Sequence, residues 1–180
     1  VDALKNNKLQ MVFNTSSFIF LIDRNGKDVT GFPVKLKAPA TNEISVFDYE
    51  KNKNYRVLVA CSNGAVYNFE INGKPAKNWE FPKLKKNIKK PLKHFTCEGK
   101  DYLLGMDEDG NIYLTDRTGK NRFQVKGKIR LSKNNDFFIE PGKNINKTRI
   151  VSTDSSGMVI RLYLGGNIEN IKIDDFSEEH

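Results

Sequence analysis

The stretch AVYNFEINGK, residues 65–74, decides the reading of this chain: a short run rich in aromatic and β-branched residues that closes on an Asn-Gly turn. Such a run forms strand. The turn glycine supplies the positive φ that a tight hairpin needs and that a residue with a Cβ resists. The same pattern stands at FIFLIDRNGK (18–27), NIYLTDRTGK (111–120) and MVIRLYLGGN (158–167). Its glycines, Gly26, Gly73, Gly119 and Gly166, are spaced by 47, 46 and 47 residues. A second row of turns at Gly64, Gly110 and Gly157 runs beside the first at intervals of 46 and 47, with Ser17 in the corresponding place of the first copy.

Working outward, each pair of turns frames a hairpin, and further strands flank it. Upstream strands are predicted at 9–13, 55–60, 101–105 and 148–151, and downstream strands at 29–34, 77–81, 122–125 and 168–173. A fourth strand opens three of the copies, at 44–47, 92–95 and 137–139. Four antiparallel strands per period of this length is the dimension of a propeller blade. The expected fold is therefore all-β, a β-propeller-like array of about four copies of a four-stranded antiparallel blade, covering approximately 9–34 (partial), 44–81, 92–125 and 137–173. Blades stacked side by side cover each other's faces and leave only short edges, so stability is collective. A helical solenoid of similar period is excluded, because the segments are short, β-branched or aromatic, and punctuated by Gly and Asn about every 8 to 12 residues. The array is either one propeller-like domain over 1–180 or a piece of a larger propeller, the second being the favoured expectation because the first copy begins at its second strand. Val1 stands where a Met is usual, which fits a processed or excised chain, and a signal peptide or lipid-anchored Cys could have been cut away.

The totals narrow the function without naming it. The longest apolar run, Phe18 to Ile22, is far short of the roughly 20 residues of a membrane helix. Cys61 and Cys97 lie in no metal-binding spacing and are expected as two unpaired structural thiols. A net charge of +8 favours weak attraction to polyanions, yet the excess is mostly Lys in a chain rich in Asn and Ile, so it does not indicate nucleic acid.

The hairpins NIYLTDRTGKNRFQV (111–125) and AVYNFEINGKPAKNWEF (65–81) resemble the repeat of PQQ-like and WD-like propellers: an inner strand ending in Asp, a short TG turn, and an aromatic closing the next strand. FIFLIDRNGKDVTGFPV (18–34) resembles related repeats of bacterial envelope and secreted proteins, whereas the copy with Gly165-Gly166 matches poorly. The enzyme members' tryptophan has one counterpart, Trp79, and nothing resembles their acidic, calcium-ligating quinone site. What the resemblance implies is the non-enzymatic branch, with no cofactor, working as a docking platform in the periplasm, at the cell surface or outside the cell.

The acidic stretches 107–111 and 48–54 lack the ligand order of a calcium loop and read as turns, where Asp and Asn bond the local backbone. His94 alternates onto the strand face opposite Cys97, which forbids a Cys/His nucleophilic pair; the other histidine, His180, is at the chain end. Asp23, Glu70 and Asp116 recur at equivalent turn positions, as a structural role predicts. No catalytic or metal-binding residue is expected. The sharpest surface feature is Lys83, Lys85, Lys86, Lys89, Lys90 and Lys93, a candidate site for a protein partner, an acidic polysaccharide or another polyanion. No aromatic is interleaved for base stacking, so nucleic acid is not the expected ligand. The alternative is a solvated loop that protects a sheet edge. Protein scaffold, carbohydrate-binding propeller, and non-catalytic portion of a larger enzyme remain as the readings of function.

Overall fold

The computed structural model describes residues 1–122, 124–125, 128–129, 135–154 and 156–172. Its strands form four small antiparallel sheets in chain order, and among the described residues there is no α-helix, only a short 3-10 turn at Ile145–Lys147. The first sheet holds β1 (Met11–Asn14), β2 (Phe18–Ile22) and β3 (Val34–Lys35). The second holds β4 (Ser45–Phe47), β5 (Arg56–Ala60) and β6 (Val66–Glu70). The third holds β7 (Lys93–Cys97), β8 (Lys100–Met106) and β9 (Ile112–Thr115). The fourth holds β10 (Phe138–Glu140), β11 (Arg149–Thr153), β12 (Val159–Tyr163) and β13 (Ile168–Ile171).

The glycine turns close alike in every sheet. The N–H groups of Asp23, Glu70, Asp116 and Tyr163 donate to the carbonyls of Lys27, Lys74, Lys120 and Asn167 at 2.8–2.9 Å. Gly26, Gly73, Gly119 and Gly166 take φ of 76, 81, 87 and 110°, the left-handed backbone that a Cβ disfavours. The first copy manages its other turn without glycine: Thr15 N–H bonds the Phe18 carbonyl at 2.9 Å, and its hydroxyl oxygen accepts from the N–H groups of Ser17 and Phe18.

Alternation along the strands assembles the core. In β5, Val57 and Val59 face the first sheet and pack with Ile19 and Leu21, while Leu58 and Ala60 face the third and pack with Leu103 and Tyr113. In β8, Leu104 and Met106 turn the other way and join Ile150 and Leu162 of the fourth sheet. Each sheet is thus packed against its neighbour in sequence. Val57, Leu58, Val59 and Ala60 are all fully buried, and each full-size side chain among them is worth about 1.5–3 kcal/mol relative to exposure. Cys61 and Cys97 are buried free thiols in different clusters. Among the described residues no apolar cluster joins the first sheet to the fourth, and no closed ring is formed.

Of the three copies expected to hold four strands only the last does so; the second and third sheets have three each, and the first has the three strands expected of a partial copy. The predicted strand at 77–81 is absent, and the outer pairing of β6 shrinks to one bridge, Phe69 to Pro75. Asn78 takes a φ of 55°, which turns the chain out of an extended path. The predicted strand at 29–34 is likewise split into a bridge from Ile22 to Asp28 and the two-residue β3, with Gly31 at a φ of 94° between them. In the third copy the pairing reaches Asn121, opposite Thr115, and Phe123 of the predicted strand 122–125 lies outside the described residues. So do Ile173, which ends the predicted strand 168–173, and the segment 174–180 with His180.

Candidate functional site

The lysine-rich segment 83–93 is no loose loop. Leu84, Ile88 and Leu92, four residues apart, are buried in the apolar layer between the second and third sheets. Both neighbours also bond its backbone. From the second sheet's side, Leu84 N–H donates to the Gly64 carbonyl at 2.8 Å, and the carbonyls of Ile88, Lys90 and Leu92 accept from Thr41 Oγ1, Asn42 Nδ2 and Ser45 Oγ at 2.8, 3.0 and 2.9 Å. From the third, Glu108 N–H donates to the Asn87 carbonyl at 3.0 Å, and the Tyr113 hydroxyl accepts from Lys85 N–H at 2.9 Å. The side-chain donors lie 47 or 48 residues before their acceptors, so the segment is tied to the loop and strand that open the preceding sheet.

The six predicted lysines do not act as one patch. Lys93 lies in β7, pairs with Asp136 at 2.5 Å and sits over the Phe137 ring. Lys89 faces Glu108 at 3.7 Å, an exposed pair worth at most about 1 kcal/mol. Lys83, Lys85 and Lys86 are exposed and Lys90 half-buried, and among the described residues none of these four has an ion-pair partner.

The acidic turns spend their oxygens locally. Asp107, 4 % exposed, accepts from the N–H groups of Asp109 and Asn111 and from the Asn111 amide, with the Tyr113 hydroxyl at 3.2 Å. Asp48 accepts from the N–H groups of Asn52 and Lys53. The backbone N–H of Lys27 holds the Asp23 carboxyl below its usual range. At Asp116 burial pushes the other way, but the Thr118 hydroxyl and N–H outweigh it and the carboxyl again titrates low.

His94 has partners that the sequence did not disclose. Its Nε2 lies 2.7 Å from Asp101 Oδ1, a diagonal neighbour across the β7–β8 hairpin, where His94 itself pairs with Leu103. Arg117 Nε stands 2.7 Å from Asp101 Oδ2, an ion pair by distance whose N–H is not aligned for a hydrogen bond. The guanidinium covers the Tyr49 ring at 4.7 Å, and the His94 ring meets that ring edge-on at 4.9 Å. Desolvation raises the Asp101 carboxyl, but the His94 hydrogen bond and the adjacent Arg117 charge prevail and leave it below the ordinary range. Burial drives the Tyr49 phenol far above its usual range, which keeps it protonated. Cys97 lies on the other face of β7, with the Thr148 hydroxyl 3.8 Å from its sulfur, and never meets His94. The cluster ties the loop after β4 to the third sheet and brings no nucleophile to the histidine. The register of the hairpin was the available signal for Asp101; nothing local pointed to Arg117 or Tyr49.

A groove of about 680 Å³ opens where the chain leaves the outer edge of β6 and is bounded on its far side by Val34 and Lys35 of the first sheet. Trp79 lines it, its indole N–H donating to the Val66 carbonyl at 2.7 Å in the place a fourth strand would occupy. Phe81 stacks on Trp79 at 5.7 Å and meets Tyr113 at 6.0 Å. Lys83, the first lysine of the basic segment, also borders the groove, so the two features adjoin. In the sequence Trp79 stands only as the single counterpart of the enzyme members' tryptophan, and nothing local places it at an edge of β6.

No family model and no curated protein matches the chain. Among solved structures it is similar to BBS1N, a β-propeller whose crystal structure was determined in complex with ARL6DN. The TM-score is 0.59 at 15 % identity, over 90 % of this chain and 50 % of that one. At that identity the likeness concerns the fold. The chain spans about half the length of the structure it matches.

Proposed function

We propose that this chain is a non-catalytic platform of the β-propeller type that docks a protein partner through an acidic surface, its four sheets serving as blades. In this reading the outer strands of the first three blades are worn down to single bridges or short remnants. The observation that carries it is the clamped basic segment. Leu84, Ile88 and Leu92 and six hydrogen bonds fix residues 83–93 against two sheets, so Lys85 and Lys86 project from a rigid base. Charges held on a rigid base lose little conformational freedom when a partner binds, and they steer encounter with opposite charge. The BBS1N complex with ARL6DN supports a docking role for the fold. The absence of a nucleophile beside His94 among the described residues favours binding over turnover.

The test replaces Lys85, Lys86, Lys89 and Lys90 with Ser together. Thermal melting should stay within about 2 °C, because exposed charges contribute little to stability. Binding to immobilised polyglutamate and to a panel of acidic proteins should weaken roughly tenfold at low salt, a difference that shrinks as salt screens it. Equal binding by parent and variant across the salt series removes the segment as a site. A protein panel that stays blank while a glycan array responds replaces the platform with a carbohydrate-binding propeller.

A further inference from the structure

The β6 groove contains a polar atom with nothing to bond. Asn68 is 4 % exposed and lines the groove, and its Oδ1 is fully buried with no hydrogen-bond partner among the described residues. It lies opposite Leu58 in the sheet register and on the same strand face as buried Val66, where alternation calls for an apolar side chain. Burying an unpaired amide opposes folding, and a ligand that reached it from the groove would supply the missing bond.

The walls say which ligand. Phe69, Trp79 and Phe81 make the groove mainly apolar, and the Tyr67 hydroxyl is already engaged by Asn63 at 2.8 Å. Around it stand three exposed cations, Lys35, Lys37 and Lys83, against one acid, Glu80, which has Lys120 3.7 Å away. A side-chain amide offers one acceptor and one donor at the spacing of a main-chain peptide group. A saccharide site would pair an aromatic platform with several free polar groups, whereas Asn68 Oδ1 is the one buried polar side-chain atom of this groove left without a partner among the described residues.

We propose that the β6 groove binds an extended peptide segment, one apolar side chain seated against Trp79 and Phe81, its main-chain amide paired with Asn68, and acidic residues on either side met by Lys35, Lys37 and Lys83. The proposal rests on the platform reading and names the segment of the partner that would enter first.

Trp79 is the only tryptophan in the chain, so its fluorescence and its indole N–H resonance report this site alone. The probes are short acetylated peptides of Asp and Glu around one central Phe, the same with central Ser, the same with Lys for the acids, and oligogalacturonate. The acidic Phe peptide should shift both Trp79 signals, and the Ser and Lys peptides should bind at least about tenfold more weakly. Asn68→Leu should weaken the Phe peptide about tenfold or more, since the main-chain amide loses its partner. Charge reversal of the exposed trio, Lys35→Glu, Lys37→Glu and Lys83→Glu, keeps the fold within reach if Asn68→Leu does not fold, and should invert the preference toward the Lys peptide. Phe and Ser peptides of equal affinity, a folded Asn68→Leu that binds undiminished, or Trp79 signals moved by oligogalacturonate alone would each overturn the proposal. If acidic peptides bind and leave Trp79 unmoved while remaining sensitive to Lys85 and Lys86, the groove is refuted and the platform stands. If no peptide binds and oligogalacturonate does, both fall.

Discussion

Gly26, Gly73 and Gly119 hold the same place in successive turns, and a sequence comparison treats them as equal. Their surroundings are not equal. A Cβ on Gly26 would meet nothing within 4 Å, one on Gly119 would come within 2.8 Å of Phe81 N, and one on Gly73 would overlap the Gly31 carbonyl. Gly26→Ala should therefore cost only the left-handed backbone strain, about 1–2 kcal/mol. Gly73→Ala and Gly119→Ala must in addition push one copy's turn off its neighbour, and should cost at least about 1 kcal/mol more than Gly26→Ala, since overpacking typically costs about 1–3 kcal/mol. Urea denaturation of the three variants checks the order; equal losses would mean that the turns do not bear on one another. The need for glycine was legible in the spacing. Its unequal cost was not, because it depends on atoms 38 to 42 residues away.

At the scale of elements, hairpins and opening strands were legible, and among the outer strands that of the fourth copy formed near its predicted bounds, β13 at Ile168–Ile171 against 168–173, while 77–81 did not form. Upstream strands begin or end within a few residues of the predicted bounds, as with β5 at Arg56–Ala60 against 55–60. The hairpin signal is local, a strand run plus a turn residue with a fixed φ requirement. The strand predicted at 77–81 had the right composition but lost to Asn78, whose left-handed backbone turns the chain away. Trp79 then caps the bare edge with its indole N–H. Trp79→Phe keeps an aromatic ring but removes the donor and part of the indole's contact surface, so it should destabilise the fold by at least about 1–2 kcal/mol. Hydrogen exchange across β6 should quicken in the same variant, and unchanged protection would show that the edge does not need this bond.

Over the whole molecule, stability is distributed through three apolar layers, one between each pair of adjacent sheets. Both ends of the stack keep apolar side chains in the open, Met11 and Phe13 on the first sheet and Phe138 and Ile168 on the fourth. The carboxylates tuned downward are spread just as widely: Asp2 and Asp23 in the first copy, Asp101 and Asp116 in the third, Asp154 in the fourth. A carboxyl whose folded value lies below its unfolded one adds stability that is fully present above about pH 4 and disappears as pH falls through the folded value. The urea midpoint should thus hold steady from pH 7 to about 5 and decline steadily below about pH 4. Asp101→Asn should flatten part of that decline; a midpoint at pH 3 equal to that at pH 7 would contradict the turn and His94 contacts.

Of the candidate site, the sequence disclosed the lysines but not their fates. Lys93 is taken by Asp136 from a stretch 43 residues on, and the Asn68 groove joins side chains from the first sheet, β6 and the segment after it. What the sequence alone determined was everything carried by short-range repetition: an all-β chain, hairpins at a regular period, and the expectation that neighbouring copies hide each other's faces. Backbone φ at a turn and the alternation of a strand are properties of a few consecutive residues. Which outer strands survive, which cations remain free, and where a buried amide is left without a partner were decided only by the tertiary structure, because each depends on atoms brought together from different copies of the repeat.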